Sequence, residues 1–334
     1  MIKLDTFTIF LSWKCNFTCL HCGFSCGPCR NEKMSPEKAM EYITEASRDQ
    51  NLKMVAYSGG EPFLFYDEVV ELMSYSFRKK LKAGIVTNCF WADSYDTAYH
   101  RLYKLKKLGL EEIITSVDEY HLHYVRAENI RNVINAAIKL QIRAGVNLLM
   151  TRKSRITKEN VHKILGIPKD ELEDGNKAWL RESSPVLSGR AKQHLPPEDL
   201  ISYSEAELLN NPCYFAVRNA VVTPDGSMYA CCGFGGATEN GPSSITYGGN
   251  LNEMSFDEIY QKLKNNLLLN MIVYHGPYVL LKIAEQYDSS IKFRKKYVSN
   301  CDVCEEISSN IPLRDTLINA LRELAIKAQN NART

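Results

Sequence analysis

Short apolar segments of strand-like composition alternate with longer segments of helical periodicity through the first 185 residues of this 334-residue chain. The first apolar segment is TFTIFLSW, residues 6–13, and the sixth is NKAWLRES, residues 176–183. Alternation of this kind is typical of parallel βα units, in which each helix leads back to the next strand. A complete eight-fold barrel takes about 250 residues, and the alternation ends well before that. We therefore predict an α/β fold, a partial (β/α)6 barrel of the TIM type.

The pattern changes after this alternation. PVLSGRAKQHLPPEDL, residues 185–200, carries three prolines and indicates a linker. VRNAVVTPDGSMYACC predicts a β-hairpin whose turn is supplied by its Pro-Asp-Gly tripeptide. We therefore predict a barrel domain over residues 1–190 and a smaller α+β domain, ending in helices, over residues 191–334.

Charge and hydropathy exclude several classes of protein. The net charge of +2 predicts no broad basic face for nucleic acid. The most apolar tract, residues 265–284, is interrupted by Gly276 and Pro277, which favours two core helices over a membrane span. The N-terminal segment lacks the basic region and cleavage site of a signal peptide. We expect a cytoplasmic protein that binds neither nucleic acid nor a membrane.

The cysteines are strongly bunched, with five of the 11 within residues 15–29. Because the cytoplasm keeps thiols reduced, bunching indicates metal binding rather than a disulfide framework. Cys15, Cys19 and Cys22 form a CxxxCxxC motif just after the first strand. A zinc ion would take a fourth ligand from the two later cysteines, whereas a four-iron cluster on three cysteines keeps one iron open for substrate. The spacing alone leaves both possibilities open.

Polar and glycine-rich residues also occur at the ends of other predicted strands, where barrels place their active sites. These residues are Gly59, Gly60 and Glu61 after the second strand, Asn88 after the third, and Ser116 and Asp118 after the fourth.

With CxxxCxxC after the first strand and GGE after the second, residues 6–185 resemble the radical S-adenosylmethionine (SAM) superfamily. The resemblance implies that the three cysteines hold a [4Fe–4S] cluster whose open iron binds SAM, and that the GGE segment binds the SAM amino group. His21 stands where the family usually has an aromatic residue that stacks on adenine. The resemblance implies further SAM contacts from Asn88, Ser116, Asp118 and Asn147, although turn capping is an alternative role for Asn88 and Ser116.

Three further residues stand out beside these motifs. Cys89 stands where the family often has glycine, and we expect it to be a buried small thiol. His121 and His123 have the chemistry of metal ligands, but their place at a strand end favours a structural or substrate-facing role.

A second set of cysteines follows the barrel, namely Cys213, Cys231, Cys301 and Cys304. Their arrangement resembles the SPASM/twitch extensions of radical SAM enzymes and implies one auxiliary [4Fe–4S] cluster, because no cysteine follows Cys304. A four-thiolate zinc site is the alternative. Spacing favours Cys231 as the ligand over its neighbour Cys232, but the two could exchange roles.

The resemblance narrows to epipeptide-type radical SAM peptide epimerases through "GFSCGP", "TNCFWA", "PDGSMYACC" and "CDVC", which occur in the same order. It implies that a 5′-deoxyadenosyl radical takes the Cα hydrogen from L-residues of a ribosomally made precursor peptide. The Cys232 thiol then returns hydrogen from the other face to give D-residues. A flavodoxin or ferredoxin would supply electrons. The alternatives are a radical SAM maturase that forms thioether or carbon–carbon crosslinks, and a zinc-binding interaction protein on a barrel scaffold.

Overall fold

The computed structural model describes residues 2–209, 211–231 and 241–331. The six predicted strands are all present, and they lie parallel to one another in sequential order. They are β1 (Thr6–Phe10), β2 (Met54–Ser58), β3 (Lys82–Val86), β4 (Leu110–Ser116), β5 (Arg143–Leu149) and β6 (Ala178–Ser183). The predicted partial (β/α)6 barrel is thus confirmed.

Several helices between these strands begin or end at residues that favour a helix terminus. Ser35 caps the first helix by accepting from the Lys38 N–H group, and Pro36 occupies its first position. Gly109 follows the third helix with a φ of +86°, a left-handed conformation that favours glycine. The helices are α1 (Pro36–Ala46), α2 (Tyr66–Arg78), α3 (Tyr95–Lys107), α4 (Glu119–Leu122), α5 (Ala127–Lys139), α6 (Val161–Leu165) and α7 (Lys169–Leu172).

The predicted hairpin is also present, and it joins the barrel sheet. Strands β7 (Asn219–Val222) and β8 (Ser227–Tyr229) are antiparallel, and β9 (Tyr247–Asn250) pairs with β8. Strand β7 lies parallel to β1, with Ala220 opposite Phe7. The described strands therefore form one nine-stranded sheet in the order β6-β5-β4-β3-β2-β1-β7-β8-β9. The division into two domains at residue 190 stays a prediction.

The prediction of a linker over residues 185–200 is wrong in its middle. Gly189–His194 form a short helix, α8, whose first turn contacts the cysteine-bearing loop after β1. The remaining helices are α9 (Glu205–Leu209), α10 (Phe256–Lys264), α11 (Leu267–His275), α12 (Pro277–Tyr287), α13 (Asn300–Ser309) and α14 (Ile311–Asn331).

The apolar tract forms the two predicted helices, α11 and α12, which break at Gly276 with a bend of 117° between them. In the described ranges no single helix is long and apolar enough to cross a membrane, and this bent pair passes that test by length and composition only.

Candidate active site

The loop that carries the first cysteines is closed at its base by backbone hydrogen bonds. Gly27 N–H donates to the Trp13 carbonyl at 3.2 Å, and Cys15 N–H donates to the Gly27 carbonyl at 3.1 Å. We call residues 15–27 the cysteine loop. Because β1 leads directly into it, the loop lies at the carboxyl end of the barrel strands, as predicted.

The three cysteines of the motif are brought together in this loop, and two of them resist ionisation. Burial raises the pKa of Cys15 to about 11 and that of Cys19 to about 12, and the neighbouring thiols raise the Cys19 value further. A hydrogen bond from the Cys26 thiol lowers the pKa of Cys22 to about 6 despite burial. Three thiolates in this loop therefore need a cationic partner to offset burial and mutual repulsion.

Gly59 and Gly60 lie directly beneath the cysteine loop. Gly60 N–H donates to the Ser12 carbonyl at 2.7 Å, and Glu61 N–H donates to the Lys14 carbonyl at 2.9 Å. A Cβ on Gly59 would lie 2.5 Å from Ser12 O, closer than real Cβ atoms approach. The glycines are thus required by the close approach of two backbones.

The Glu61 carboxylate is buried, with 1% of the residue exposed, and it bonds to the protein itself. Its Oε1 accepts from Phe63 N–H at 2.9 Å and from the Thr87 hydroxyl at 2.8 Å, and its Oε2 accepts from Asn88 N–H at 2.7 Å. Burial raises the pKa of Glu61 to about 7, although the hydrogen bonds oppose that rise. Glu61 therefore ties the end of β2 to the end of β3.

Asn88 connects the end of β3 to the cysteine loop. Its side-chain amide donates to Asn16 Oδ1 at 2.9 Å and lies 3.8 Å from Cys15 Sγ. Its Oδ1 accepts from Phe90 N–H at 3.1 Å, which is the turn capping considered for this residue. The Asn88 side chain therefore both caps its own turn and contacts the cysteine loop.

His21, Asp118 and His121 meet next to this loop, with ligand-type atoms within 4.8 Å of one another. His121 Nδ1 lies 2.9 Å from Asp118 Oδ2, and Asp118 Oδ1 caps α4 by accepting from Tyr120 N–H at 3.0 Å and His121 N–H at 2.9 Å. Burial lowers the pKa of His121, but the charge of Asp118 outweighs it and the pKa is raised. The structural role expected for His121 is thus present.

The His21 ring lies 4.8 Å from the His121 ring and 5.1 Å from the Tyr120 ring. Burial lowers the pKa of His21 to about 4, so its imidazole is neutral. Its Nδ1 is buried and has no hydrogen-bond partner within the described part of the chain. A buried orphaned nitrogen beside the cysteines marks a place for a polar group of a ligand.

Ser116 and Asn147 are register partners on β4 and β5, and Arg181 on β6 continues the row. The Arg181 guanidinium donates to Asn147 Oδ1 at 3.1 Å. Their proposed contacts with SAM stay predictions, as do those of the GGE segment, His21, Asn88 and Asp118.

The cysteines outside the motif have different surroundings. Cys26 is buried, and its thiol lies 3.8 Å from the Gly59 carbonyl oxygen, whereas Cys29 is exposed. Cys89 is fully buried, as expected, with its thiol 3.2 Å from the Thr115 hydroxyl. Its φ of +63° explains why glycine is suited to this position.

Three cysteines of the second set also come together. Burial raises the pKa of Cys304 well above its usual value, and the neighbouring Cys213 and Cys301 raise it further. Cys301 stands in the first turn of α13, where the helix dipole favours a thiolate. Cys231 is the second residue after the end of β8. Cys232 lies outside the described residues.

A small apolar cluster joins the cysteine loop to the β7–β8 hairpin. Its buried members are Phe10, Trp13, Cys26, Val221 and Tyr229, and Cys15, Cys22, Phe24 and Tyr247 pack against it. Because Tyr229 precedes Cys231 by two residues, the hairpin that leads to the second set of cysteines packs directly against the loop that carries the first.

Sequence reasoning missed the contribution of α8. Arg190 donates from Nε to the Cys19 carbonyl at 2.9 Å and from Nη2 to the Cys26 carbonyl at 2.6 Å. The signal in the sequence was faint, a Ser-Gly-Arg tripeptide in a proline-containing stretch without helical periodicity.

A cavity of about 510 Å³ lies at the opposite end of the barrel, lined by residues at the amino ends of the strands such as Met54, Lys82 and Arg143. Lys82 within it is paired with Glu111 at 2.5 Å. The cysteine loop lies at the other end of the strands, so this cavity is not the candidate active site.

Comparison with known proteins agrees with this arrangement. Residues 10–174 match the radical SAM superfamily, and residues 213–305 match SPASM, an iron–sulfur cluster-binding domain. The chain is 27% identical over 309 residues to "Putative peptide biosynthesis protein YydG" of Bacillus subtilis (strain 168), a similarity that covers 90% of each chain. The CxxxCxxC cysteines fall in the first matched range and the second set of cysteines in the other.

Two solved structures align with most of this chain. BtrN in complex with AdoMet and 2-DOIA has a TM-score of 0.49 at 15% identity, covering 84% of this chain and 91% of that one. SuiB of Streptococcus suis bound to the precursor peptide SuiA has a TM-score of 0.47 at 15% identity, covering 82% of this chain and 67% of that one.

Proposed function

Since the chain belongs to the radical SAM superfamily and carries a SPASM domain, we propose that it is a peptide epimerase that converts L-residues of a ribosomally made precursor peptide to D-residues. A peptide substrate is supported by the Bacillus subtilis relative, whose name assigns it to peptide biosynthesis and which aligns over 90% of both chains. Epimerisation is supported by the adjacent Cys231 and Cys232 after the hairpin.

The residues of the cysteine loop fit the cofactors that the family uses. Cys15, Cys19 and Cys22 would hold a [4Fe–4S] cluster, since their thiolates need a cation to be stable in this buried loop. The orphaned Nδ1 of His21 leaves a hydrogen-bonding position for a polar group of SAM. When bound, the cluster and SAM supply a 5′-deoxyadenosyl radical.

The second set of cysteines fits an auxiliary [4Fe–4S] cluster. Cys213, Cys301 and Cys304 are already gathered, and Cys231 would complete the set. We expect an electron donor such as flavodoxin or ferredoxin to be a partner.

The observation that carries the proposal is the apolar cluster between the two cysteine-bearing segments. Epimerisation requires a hydrogen acceptor and a hydrogen donor on opposite faces of one Cα atom, so both must lie beside the same substrate residue. Tyr229 and Cys26 share this cluster, so the hairpin strand that precedes Cys231 in the chain lies beside the SAM-binding loop. Neighbouring residues of a strand point to opposite faces, and we expect the same of Cys231 and Cys232, so that the one not bound to the auxiliary cluster is suited to face the substrate.

The test is a Cys232→Ala variant, with Cys29→Ala as a matched control because Cys29 is exposed and outside both cysteine sets. The probe is a synthetic copy of a short peptide encoded beside the gene for this chain. We expect Cys232→Ala to form 5′-deoxyadenosine but no D-residue on chiral amino-acid analysis, while Cys29→Ala forms both. Normal D-residue formation by Cys232→Ala would show that the thiol donor is wrongly assigned.

A further inference from the structure

Residues 19–26 of the cysteine loop make few backbone hydrogen bonds among themselves. From Cys19 to Cys26, the internal backbone hydrogen bonds are two turns, Cys22 N–H to the Cys19 carbonyl at 3.1 Å and Ser25 N–H to the Cys22 carbonyl at 3.3 Å. A carbonyl oxygen can accept two hydrogen bonds, so the Cys19 and Cys22 carbonyls can each take a second partner from outside the loop, and no backbone N–H of the described loop donates to the Cys26 carbonyl.

Those partners come from Arg190 at the start of α8. Its backbone N–H donates to the Cys22 carbonyl at 3.1 Å, while its guanidinium donates to the carbonyls of Cys19 at 2.9 Å and Cys26 at 2.6 Å. One residue thus holds the carbonyl groups of two ligand cysteines and of the buried cysteine that follows them. The planar guanidinium presents its donors in a fixed fork, which fixes the spacing of the two carbonyls it joins.

The residues before Arg190 fit the same loop closely. The Ser188 hydroxyl donates to the Gly23 carbonyl at 2.9 Å, and Ser188 is 2% exposed. Gly189 has a φ of +52°, and a Cβ there would lie 2.6 Å from the Gly23 carbonyl oxygen. This close approach positions Arg190 against the loop and explains why a helix forms in a stretch without helical periodicity.

The charge of Arg190 also acts on the ligand cysteines. Its guanidinium lies within hydrogen-bond distance of the carbonyl groups of Cys19 and Cys26, which stand on either side of Cys22 in the loop. A fixed positive charge beside an iron–sulfur cluster stabilises its reduced, more negative state and raises its reduction potential.

We propose that Arg190 is a positioning residue for the SAM-binding cluster, which holds the ligand-bearing loop in shape and raises the reduction potential of the cluster through its charge. The proposal rests on the cluster assigned to Cys15, Cys19 and Cys22 and is independent of which reaction the peptide undergoes.

Two variants separate the two effects. Arg190→Gln removes both the charge and the fork, whereas Arg190→Lys keeps the charge but cannot join two carbonyls in the same geometry. Arg30→Gln is the first control, since Arg30 lies on a neighbouring stretch but its guanidinium pairs with Glu32 at 2.8 Å. Lys192→Met is the second, since Lys192 lies on α8 but reaches Glu305 at 3.1 Å.

The full chain would be reconstituted anaerobically with iron and sulfide, without any peptide. Iron per chain and the midpoint potential of the SAM-binding cluster, from a redox titration followed by electron paramagnetic resonance, are the readouts. We expect Arg190→Gln to lose iron and to shift the potential to a more negative value. Arg190→Lys should lose iron with little shift in potential, and both controls should match the wild type.

Wild-type iron content and potential in Arg190→Gln would overturn the proposal. If Arg190→Gln also loses the auxiliary cluster signal because it does not fold, Arg190→Lys decides, and its full retention of iron would overturn the proposal. Because no peptide is present, a failure of the epimerase reaction would leave these readouts unaffected, and the two failures are distinguishable.

Discussion

The α-carbon of Gly60 lies against the carbonyl group of Lys14, so that a Cβ at position 60 would stand 1.9 Å from the carbonyl oxygen and 3.0 Å from Cys15 N. The neighbouring Glu61 N–H donates to the same Lys14 carbonyl at 2.9 Å. The GGE segment therefore supports the backbone of Lys14 and Cys15 at the start of the cysteine loop. This contact gives Gly60 a structural requirement of its own, separate from the predicted bond to SAM.

We predict that Gly60→Ala displaces the cysteine loop. The methyl group would meet backbone atoms that cannot rotate away, so the free energy of unfolding should fall by about 3 kcal/mol. Iron retention at the SAM-binding cluster should fall with it. Thermal unfolding and iron analysis of the reconstituted protein measure these effects.

Gly27→Ala is the matched control on the same loop, because a Cβ there meets its nearest atom, Thr18 Cγ2, at an ordinary 3.6 Å. It should retain both stability and iron. Equal behaviour of the two variants would contradict the role assigned to the Gly60 contact.

The five cysteines of residues 15–29 should divide into three that are essential for SAM cleavage and two that are not. Replacing Cys15, Cys19 or Cys22 with alanine should abolish formation of 5′-deoxyadenosine, because each would hold an iron of the cluster. Cys29→Ala should be neutral since Cys29 is exposed, and Cys26→Ala should cost about 1 kcal/mol of stability as a small buried cavity. Chromatographic assay of 5′-deoxyadenosine after chemical reduction measures the outcome.

Loss of SAM cleavage in Cys29→Ala, or its retention in any of the first three variants, would contradict this division. Cys26→Ser, which keeps a donor near the Cys22 thiol, distinguishes a packing role of Cys26 from a hydrogen-bonding one.

The Asp118–His121 pair should make stability depend on pH. The pKa of His121 is raised above its usual 6.5, so the contribution of the charged pair is complete below about pH 6.5 and is lost as the pH rises through the folded-state pKa. Asp118→Asn keeps the capping oxygen but removes the charge, and should cost about 2 kcal/mol at pH 6 and less at pH 9. Apparent melting temperatures at the two pH values measure this difference.

Asp118→Ala is the companion variant, since it removes the cap of α4 as well, which costs about 1 kcal/mol at either pH. It should therefore remain less stable than the wild type at pH 9. A cost of Asp118→Asn that grows from pH 6 to pH 9 would have the wrong sign for this pair.

The barrel and the first cysteine set could be predicted because their signals are local. The first strand was visible in the β-branched and aromatic residues of TFTIFLSW, and Cys15, Cys19 and Cys22 are close in the sequence before they are close in space. The hairpin was equally visible from its turn, where Gly226 has a φ of +85°. Its pairing with β1 was not, because nothing in the hairpin specifies which edge of the barrel it joins.

The contacts of α8 and of His21 could not be predicted because their partners are distant in the sequence. Arg190 is ordered by carbonyl groups that lie more than 160 residues earlier in the chain. His21 lies in the cysteine loop after β1 and His121 in α4 after β4, so their contact depends on how the two strands are placed in the sheet and not on either local sequence. Motif reasoning assigned Glu61 to the cofactor, whereas its carboxylate also joins two strands through Thr87 and Asn88.

The central claim is that a hydrogen atom is removed from a peptide Cα and replaced from the opposite face. Mass spectrometry of the peptide after reaction in heavy water tests it most directly, because the hydrogen of a cysteine thiol exchanges with the solvent. The probe is again a synthetic copy of a short peptide encoded beside the gene, incubated with reconstituted protein, SAM and a reductant.

Epimerisation predicts a gain of one deuterium per modified residue, at Cα, with each labelled residue in the D configuration and no label in the Cys232→Ala reaction. A peptide that instead loses two hydrogens per event and gains no deuterium would contradict the claim, and would identify the enzyme as one that forms crosslinks.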